Sequence, residues 1–284
     1  MMTLTILCLI VVGAAFMASV PFRIAMLDGA RVRYQSFGKG PRAVVLVHGW
    51  ICDHSFWIRN IPALSAEYRV IALDLPGHGG SDGPKVEYTQ QYLAKALDAV
   101  LRDAKVSRAV LVGHNMGAPV ARQFAADFPA KVAGLVLVDA AISTPVSAEE
   151  MEQRKARRRP FLDSLRTAAY PEIAEKFIDR MFVTETPPEL RARIKPRMLA
   201  TPQWISVSAM DGMSDGSMWA AKSDVPTLCI YSDKGRKADN DAMLSGMFSN
   251  VDHQEWPGGG NFTMMEMPDR FNAAVLEFLK KIGF

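Results

Sequence analysis

Little in this chain belongs to the specialised protein classes. Cysteine is scarce: three in 284 residues, too few for a disulfide framework. Cys52 and Cys229 read as small buried hydrophobes, and Cys8 lies in Thr5-Ile6-Leu7-Cys8, which lacks the small residue expected before a lipidated cysteine. An excess of one charge is missing too, since the formal net charge is only +3. Much of the basic surplus sits in Arg154-Lys155-Ala156-Arg157-Arg158-Arg159, a run that reads as a solvated helix face. Aromatic residues are not interleaved with the basic ones, which excludes the usual pattern of nucleic-acid binding. Asp, Glu and His show no metal-ligand spacing in the sequence, so neither a metal nor a cofactor is expected. Gly258-Gly259-Gly260 is followed by no strand-to-helix turn with a P-loop Lys, so it is not a phosphate loop. No internal repeat or low-complexity tract is present.

Long apolar runs are confined to the N-terminus. No charged side chain occurs from Met1 to Phe22, and Leu4 to Val20 is almost wholly apolar. That stretch is short for a membrane span but suits the h-region of a signal peptide. No Lys or Arg precedes it, and Ala14, Ala15, Ala18 and Ser19 make no clean A-x-A site. Residues 1–20 are therefore expected to direct export (periplasmic or secreted) with cleavage near residue 20. An uncleaved anchor touching the membrane, or a buried core helix, are the other readings.

The rest of the sequence has a globular composition, 49% hydrophobic and 22% charged over the whole chain, and is long enough for one α/β domain with an insertion or two small domains. Phe22–Leu27 and Arg31–Phe37 alternate in polarity and meet at Asp28-Gly29, a hairpin signal. Continuous apolar runs then recur at Ala43–Val47, Val70–Leu73, Ala109–Val112, Leu135–Val138 and Thr227–Tyr231. Segments of helical period separate them: Thr89–Ala104, Met116–Phe128 and Pro268 to about Ile282. Strands apolar on both faces and alternating with helices predict a mostly parallel sheet covered by helices on each side. Between Asp139 and Val225 no apolar strand run occurs for about eighty residues, too long for a plain loop. The stretch is helical in pattern and rich in Met, Arg and Pro. It predicts a helical cap over 141–224, inserted into a core formed by 21–140 and 225–284.

The most informative local pattern is Leu111-Val112-Gly113-His114-Asn115-Met116-Gly117. A strand enters a G-x-N-x-G turn that opens directly into a helix. Small flanking residues let such a turn close, and Asn tolerates the positive φ that its centre demands.

These residues resemble the nucleophile elbow of the α/β-hydrolase family, with Asn115 where that family carries Ser. Three further motifs, in the family's order, extend the resemblance over essentially everything after the leader. His48-Gly49-Trp50 resembles the His-Gly oxyanion loop. Asp74-Leu75-Pro76-Gly77-His78-Gly79-Gly80-Ser81-Asp82 resembles the D-x-x-G-x-G-x-S loop. Pro257-Gly258-Gly259-Gly260-Asn261-Phe262, followed by Met265-Glu266-Met267-Pro268 and Phe271, resembles the stretch that carries the catalytic His. The resemblance implies an α/β-hydrolase fold, a small acyl or ester-like ligand, a nucleophile position at Asn115 and a base position at Asn261. It also implies an oxyanion hole built from the N–H groups of Trp50 and Met116. Gly235 occupies the family's usual acid register after Thr227–Tyr231. The acid is therefore expected at Asp139, after the preceding strand, with Asp233 as the alternative.

An amide is neither a useful nucleophile nor a base near neutral pH. Loss of the Ser or His of a working triad costs about 10⁶ in kcat, and the residual of roughly 10³–10⁴ over water comes from the oxyanion hole and binding. The sequence is compatible with several functions. One is a hydrolase of small esters, lactones or related acyl substrates, impaired at its two reactive side chains. Others are a binding or sensing pseudoenzyme, a deliberately inactivated hydrolase, and a descendant of an Asp-nucleophile enzyme. The last is disfavoured because Met116 stands next to the nucleophile position where Trp is usual. Among the histidines, His48 and His114 read as structural, His54 as the more plausible stand-in base, and His78 and His253 as surface or loop residues. Met210, Met213, Met218, Met264 and Met265 read as packing in the cap or near the site.

Overall fold

The computed structural model describes residues 17–140, 142, 147–233 and 240–284. Most of the N-terminal apolar stretch, with Cys8, lies outside them, as does Gly235. Met17 is buried, and its carbonyl and that of Val20 accept hydrogen bonds from the Gln35 amide at 2.8 and 2.6 Å. No helix among the described residues is long and apolar enough to cross a membrane.

Eight strands form one sheet: β1 Arg23–Leu27, β2 Ala30–Phe37, β3 Arg42–Val47, β4 Val70–Leu73, β5 Arg108–His114, β6 Val132–Val138, β7 Thr227–Ser232 and β8 Val251–Trp256. Their spatial order is β1-β2-β4-β3-β5-β6-β7-β8. The β1–β2 and β2–β4 pairs are antiparallel and all others parallel. The expected hairpin is present: Leu27 pairs with Ala30 across Asp28 (φ 48°) and Gly29 (φ 84°), the paired positive dihedrals of a two-residue turn. The continuous apolar runs form the interior strands; β4 and β7 are buried at every residue. The edge strand β8 was not legible, because Val251-Asp252-His253-Gln254-Glu255-Trp256 is mostly polar and only Trp256 is fully buried.

Helices cover both faces. They are α1 Ile61–Ser65, α2 Gln90–Asp103, α3 Gly117–Asp127, α4 Ala148–Leu165, α5 Tyr170–Asp179, α6 Pro188–Leu199, α7 Gln203–Gly212, α8 Asn240–Met247, α9 Thr263–Glu266 and α10 Pro268–Lys281. Thr89 caps α2 by accepting the Tyr92 N–H at 3.1 Å, and Leu93, Leu97, Val100 and Leu101 turn inward. In α10 the Phe271, Val275 and Leu279 side chains are fully buried, each burial being worth roughly 1.5–3 kcal/mol. Lys280 and Lys281 in its last turn complement the negative end of the helix.

Four helices, α4 to α7, stand between β6 and β7. They pack on one another, α4 against α5 and α7, and α5 against α6. Polar bonds tie them to the sheet side: Trp50 Nε1 donates to the Ser206 carbonyl at 2.8 Å, and the Tyr88 N–H to Ser208 Oγ at 3.0 Å. This positions α4 to α7 over the C-terminal ends of β3, β5 and β6.

Candidate active site

Strand β5 ends at Gly113-His114, and the N–H of the next residue, Asn115, continues the ladder by donating to the Val138 carbonyl at 2.9 Å. Asn115 then takes φ 50°, and the chain turns into α3. Steric crowding explains both flanking glycines. A Cβ on Gly113 would sit 2.4 Å from the Gly117 carbonyl oxygen, and one on Gly117 would sit 2.3 Å from that of Val47. The obstacles are backbone, so they cannot swing aside. A third glycine closes the arrangement: a Cβ on Gly49 would lie 2.7 Å from His114 Nδ1 and 3.1 Å from the Asn115 Cβ. The loop after β3 therefore lies directly on the turn after β5. Neither the Trp50 N–H nor the Met116 N–H is engaged by another group of the described residues.

Asn115 and Asn261 meet. Asn115 Nδ2 donates to Asn261 Oδ1 at 3.3 Å, across 146 positions of sequence. Asn261 is fixed through its main chain: its N–H donates to the Met181 carbonyl at 2.8 Å, and its carbonyl lies 2.6 Å from His114 Nε2. Glu266 anchors the preceding glycines, accepting the Gly260 N–H at 2.7 Å and the Thr186 hydroxyl. Burial pushes the Glu266 carboxyl up, against those two bonds.

Asp139 sits at the end of β6 with φ 44° and is almost fully buried. Its Oδ1 accepts the Ser232 N–H at 2.8 Å and the Ser232 hydroxyl at 2.7 Å, while Oδ2 accepts the Thr263 hydroxyl at 2.6 Å. Burial raises its carboxyl against these bonds. Asp139 thus stands beside the Asn261 loop through Thr263, with no hydrogen bond to Asn261 itself. Asp233 is exposed, and its Oδ2 accepts the Gly258 N–H at 2.6 Å.

The histidines sort by their partners. His48 is fully buried, and its Nε2 accepts the Leu75 N–H at 3.0 Å. His114 is buried as well, and burial lowers its imidazole to about 4; among the described residues no hydrogen-bond partner reaches its Nδ1. His78, expected at the surface or in a loop, lies in the glycine-rich loop after β4 but is only 1% exposed, its ring 5.2 Å from that of His48; burial lowers it to about 3. His253 belongs to β8, with Nδ1 on Asp241. His54 holds Asp74 at 2.7 Å, but it lines a separate cavity with Arg33, Asp53 and Arg197. Folding brings Asp53, His54 and Asp74 within 4.8 Å of one another, a grouping invisible in sequence spacing. Asp74 is already committed there to Arg33 at 2.8 Å and to the His54 and Gly80 N–H groups. Burial works against those bonds, yet they hold its carboxyl below the usual range.

Over Asn115 lies a cavity of about 240 Å³, lined by Trp50, Asn115, Ile142, Arg158, Phe177, Met181, Met210 and Met213. Two of the methionines singled out in the sequence, Met210 and Met213, face it; Met218, Met264 and Met265 are buried in the core. Arg158 was missed, hidden in a basic run of which Arg157 and Arg159 are exposed as expected while Arg154 is half-buried. Nothing in the local sequence singled out Arg158 as the member that reaches the cavity. No imidazole or carboxylate lines the cavity among the described residues.

Known proteins share this architecture. Residues 42–223 match the family model of the alpha/beta hydrolase fold. Over 271 residues, 88% of this chain and 91% of its own length, the 2-hydroxy-6-oxononadienedioate/2-hydroxy-6-oxononatrienedioate hydrolase of Burkholderia vietnamiensis is 30% identical. An acetyltransferase component of the acetoin cleaving system of Pseudomonas putida is 29% identical over 86% of this chain. The chain spans only 65% of that protein, and 32% of the Cupriavidus necator counterpart. Among solved structures, a thermophilic esterase from Thermogutta terrifontis superposes with a TM-score of 0.80 at 26% identity, covering 92% of this chain and 99% of its own. A matched family model over more than half the chain, a relative matched nearly end to end, and the elbow built on Gly113 and Gly117 agree: the chain belongs to the α/β-hydrolase fold family.

Proposed function

We propose that this protein binds a small acyl, ester or lactone ligand in the cavity over Asn115, on a scaffold built for serine-type hydrolysis, and that its turnover is severely impaired. The observation that carries the reading is the Asn115–Asn261 amide pair, at the positions read as the family's nucleophile and base, beside the Trp50 and Met116 N–H groups that no other described residue engages. Esterases and hydrolases among the relatives support a hydrolytic ancestry, and the Burkholderia vietnamiensis relative, named for dioate substrates, supports a ligand with a carboxylate end. The amides supply neither nucleophile nor proton acceptor. His114 is no substitute, because its Nε2 is spent on a carbonyl and its ring resists protonation.

In this reading α4 to α7 form a cap, and Trp50 and Met116 donate to the ligand's carbonyl or carboxylate oxygen. Asp139 is the acid position. Its depth and its bond to Thr263, two residues beyond Asn261, support it over the exposed Asp233. A sensing role is favoured by the same pair: one Asn115 N–H and the Asn261 oxygen meet each other, while among the described residues Asn115 Oδ1 and Asn261 Nδ2 stay free to meet a ligand.

Restoring Asn115→Ser and Asn261→His together tests the proposal, with short-chain p-nitrophenyl esters as substrates. The double variant should exceed the parent by at least about 10³-fold in kcat/KM. Parent turnover that survives purification and disappears in Asn115→Ala would overturn it.

A further inference from the structure

Among the described residues, the cavity over Asn115 is lined by one charged group, Arg158, and no carboxylate pairs with it. Its walls are otherwise the apolar faces of Trp50, Ile142, Phe177, Met181, Met210 and Met213, with the amide of Asn115 at the floor. Arg158 enters from α4. Its guanidinium donates to the Met210 carbonyl at 3.3 Å and lies 3.5 Å from the Met210 sulfur, contacts that occupy only Nη2. No ion pair involves Arg158 among the described residues, whereas Arg154 and Arg166 on either side of it pair with Glu150 and Asp163. Burial lowers its basicity, partly offset by the charge of Asp211. A guanidinium with five donors in an apolar recess is costly unless an anion meets it. A carboxylate matches its planar fork, bidentately and in the geometry that arginine favours over lysine.

We propose that Arg158 is a specificity-determining residue that holds a ligand's free carboxylate, while the acyl end of the same molecule lies over Asn115. The inference rests on the ligand site proposed above and adds its charge class. A volume of about 240 Å³ suits a short molecule of the half-ester type, with its two ends separated by a few methylenes. The methionine and aromatic walls cover that apolar middle. A neutral diester of the same length would leave the guanidinium unpaired.

The probes are monomethyl glutarate and dimethyl glutarate, titrated calorimetrically into the purified parent chain and into Arg158→Met and Arg158→Lys. The parent should bind the half-ester roughly 10- to 100-fold more tightly than the diester, the range for a hydrogen-bonded charge. Arg158→Met should erase that preference, bringing the ratio of half-ester to diester affinity to about one, and Arg158→Lys should keep part of it. Because the first comparison uses the parent alone, it stands even if a variant folds poorly. Equal binding of the two probes by the parent, with both lost in a bulky Asn115→Phe variant, would overturn the role of Arg158 and leave the site intact. Binding of either probe that survives Asn115→Phe would place the ligand elsewhere and overturn both.

Discussion

Acid should act on this fold through His114. The ring is 1% exposed, its Nε2 faces the Asn261 carbonyl, and its Nδ1 has no partner among the described residues. Burial holds it at about 4 in the folded protein, against about 6.5 for an unconstrained imidazole. The folded value is the lower one, so the native state resists the proton. Above about pH 6.5 both states are neutral and the group contributes nothing. As pH falls below that, the unfolded chain takes up the proton and the native state does not, and stability is lost until about pH 4. At about 1.4 kcal/mol per unit, the loss reaches about 2 kcal/mol by pH 5. His78, held at about 3, adds a similar amount over the same interval, for about 4 kcal/mol together. The buried carboxyls of Asp139 and Glu266 are raised and work in the opposite sense, gaining stability as pH falls through their folded values. A difference measurement removes them. Urea unfolding followed by tryptophan fluorescence, in steps from about pH 7.5 to 5, should show His114→Gln losing about 2 kcal/mol less than the parent. Gln can still donate to the Asn261 carbonyl, so the neutral-pH contact survives. Parallel pH profiles for the two proteins would refute the reasoning.

Two further substitutions probe the frame of the site. Gly117→Ala should cost about 3 kcal/mol, since the new methyl meets the Val47 carbonyl at 2.3 Å, whereas Gly246→Ala in α8 meets nothing within 4 Å and should be neutral or stabilising; thermal unfolding of both reads the contrast. Thr263→Val keeps the shape and the backbone contact but removes the hydroxyl donor to Asp139 Oδ2, and should cost about 1–3 kcal/mol at neutral pH by urea unfolding, with Thr263→Ser restoring most of it.

The parallel sheet was readable because β3 to β7 are apolar on both faces, a pattern that burial between helix layers imposes directly. The polar edge strand β8 escaped because an exposed edge carries no such demand, and the five-residue α1 because it is too short to display a period. Glycine motifs located Asn115, Asn261 and the loop at Gly49 because close backbone approach leaves no alternative residue there. The inward turn of Arg158 and the depth of His78 were illegible for a common reason. Both depend on what packs above them, α7 in one case and the fold-back of the loop after β4 in the other, and neither neighbour is marked in the local sequence. Asp139 was singled out by its place after β6; its partners Ser232 and Thr263 were not, since hydroxyl contacts across the sheet end leave no spacing signature.

The anchoring of Asn261 has an evolutionary corollary. Its loop is pinned by its own N–H on Met181, by its own carbonyl on His114, and by Glu266 on Gly260, none of which involves the side chain at 261. Selection can therefore rewrite that side chain without moving the loop that presents it. In the genetic code, Asn is one base change from His and one from Ser. Under the function proposed above, each amide is a single base change from the side chain its position would need, on a backbone that holds the loop either way.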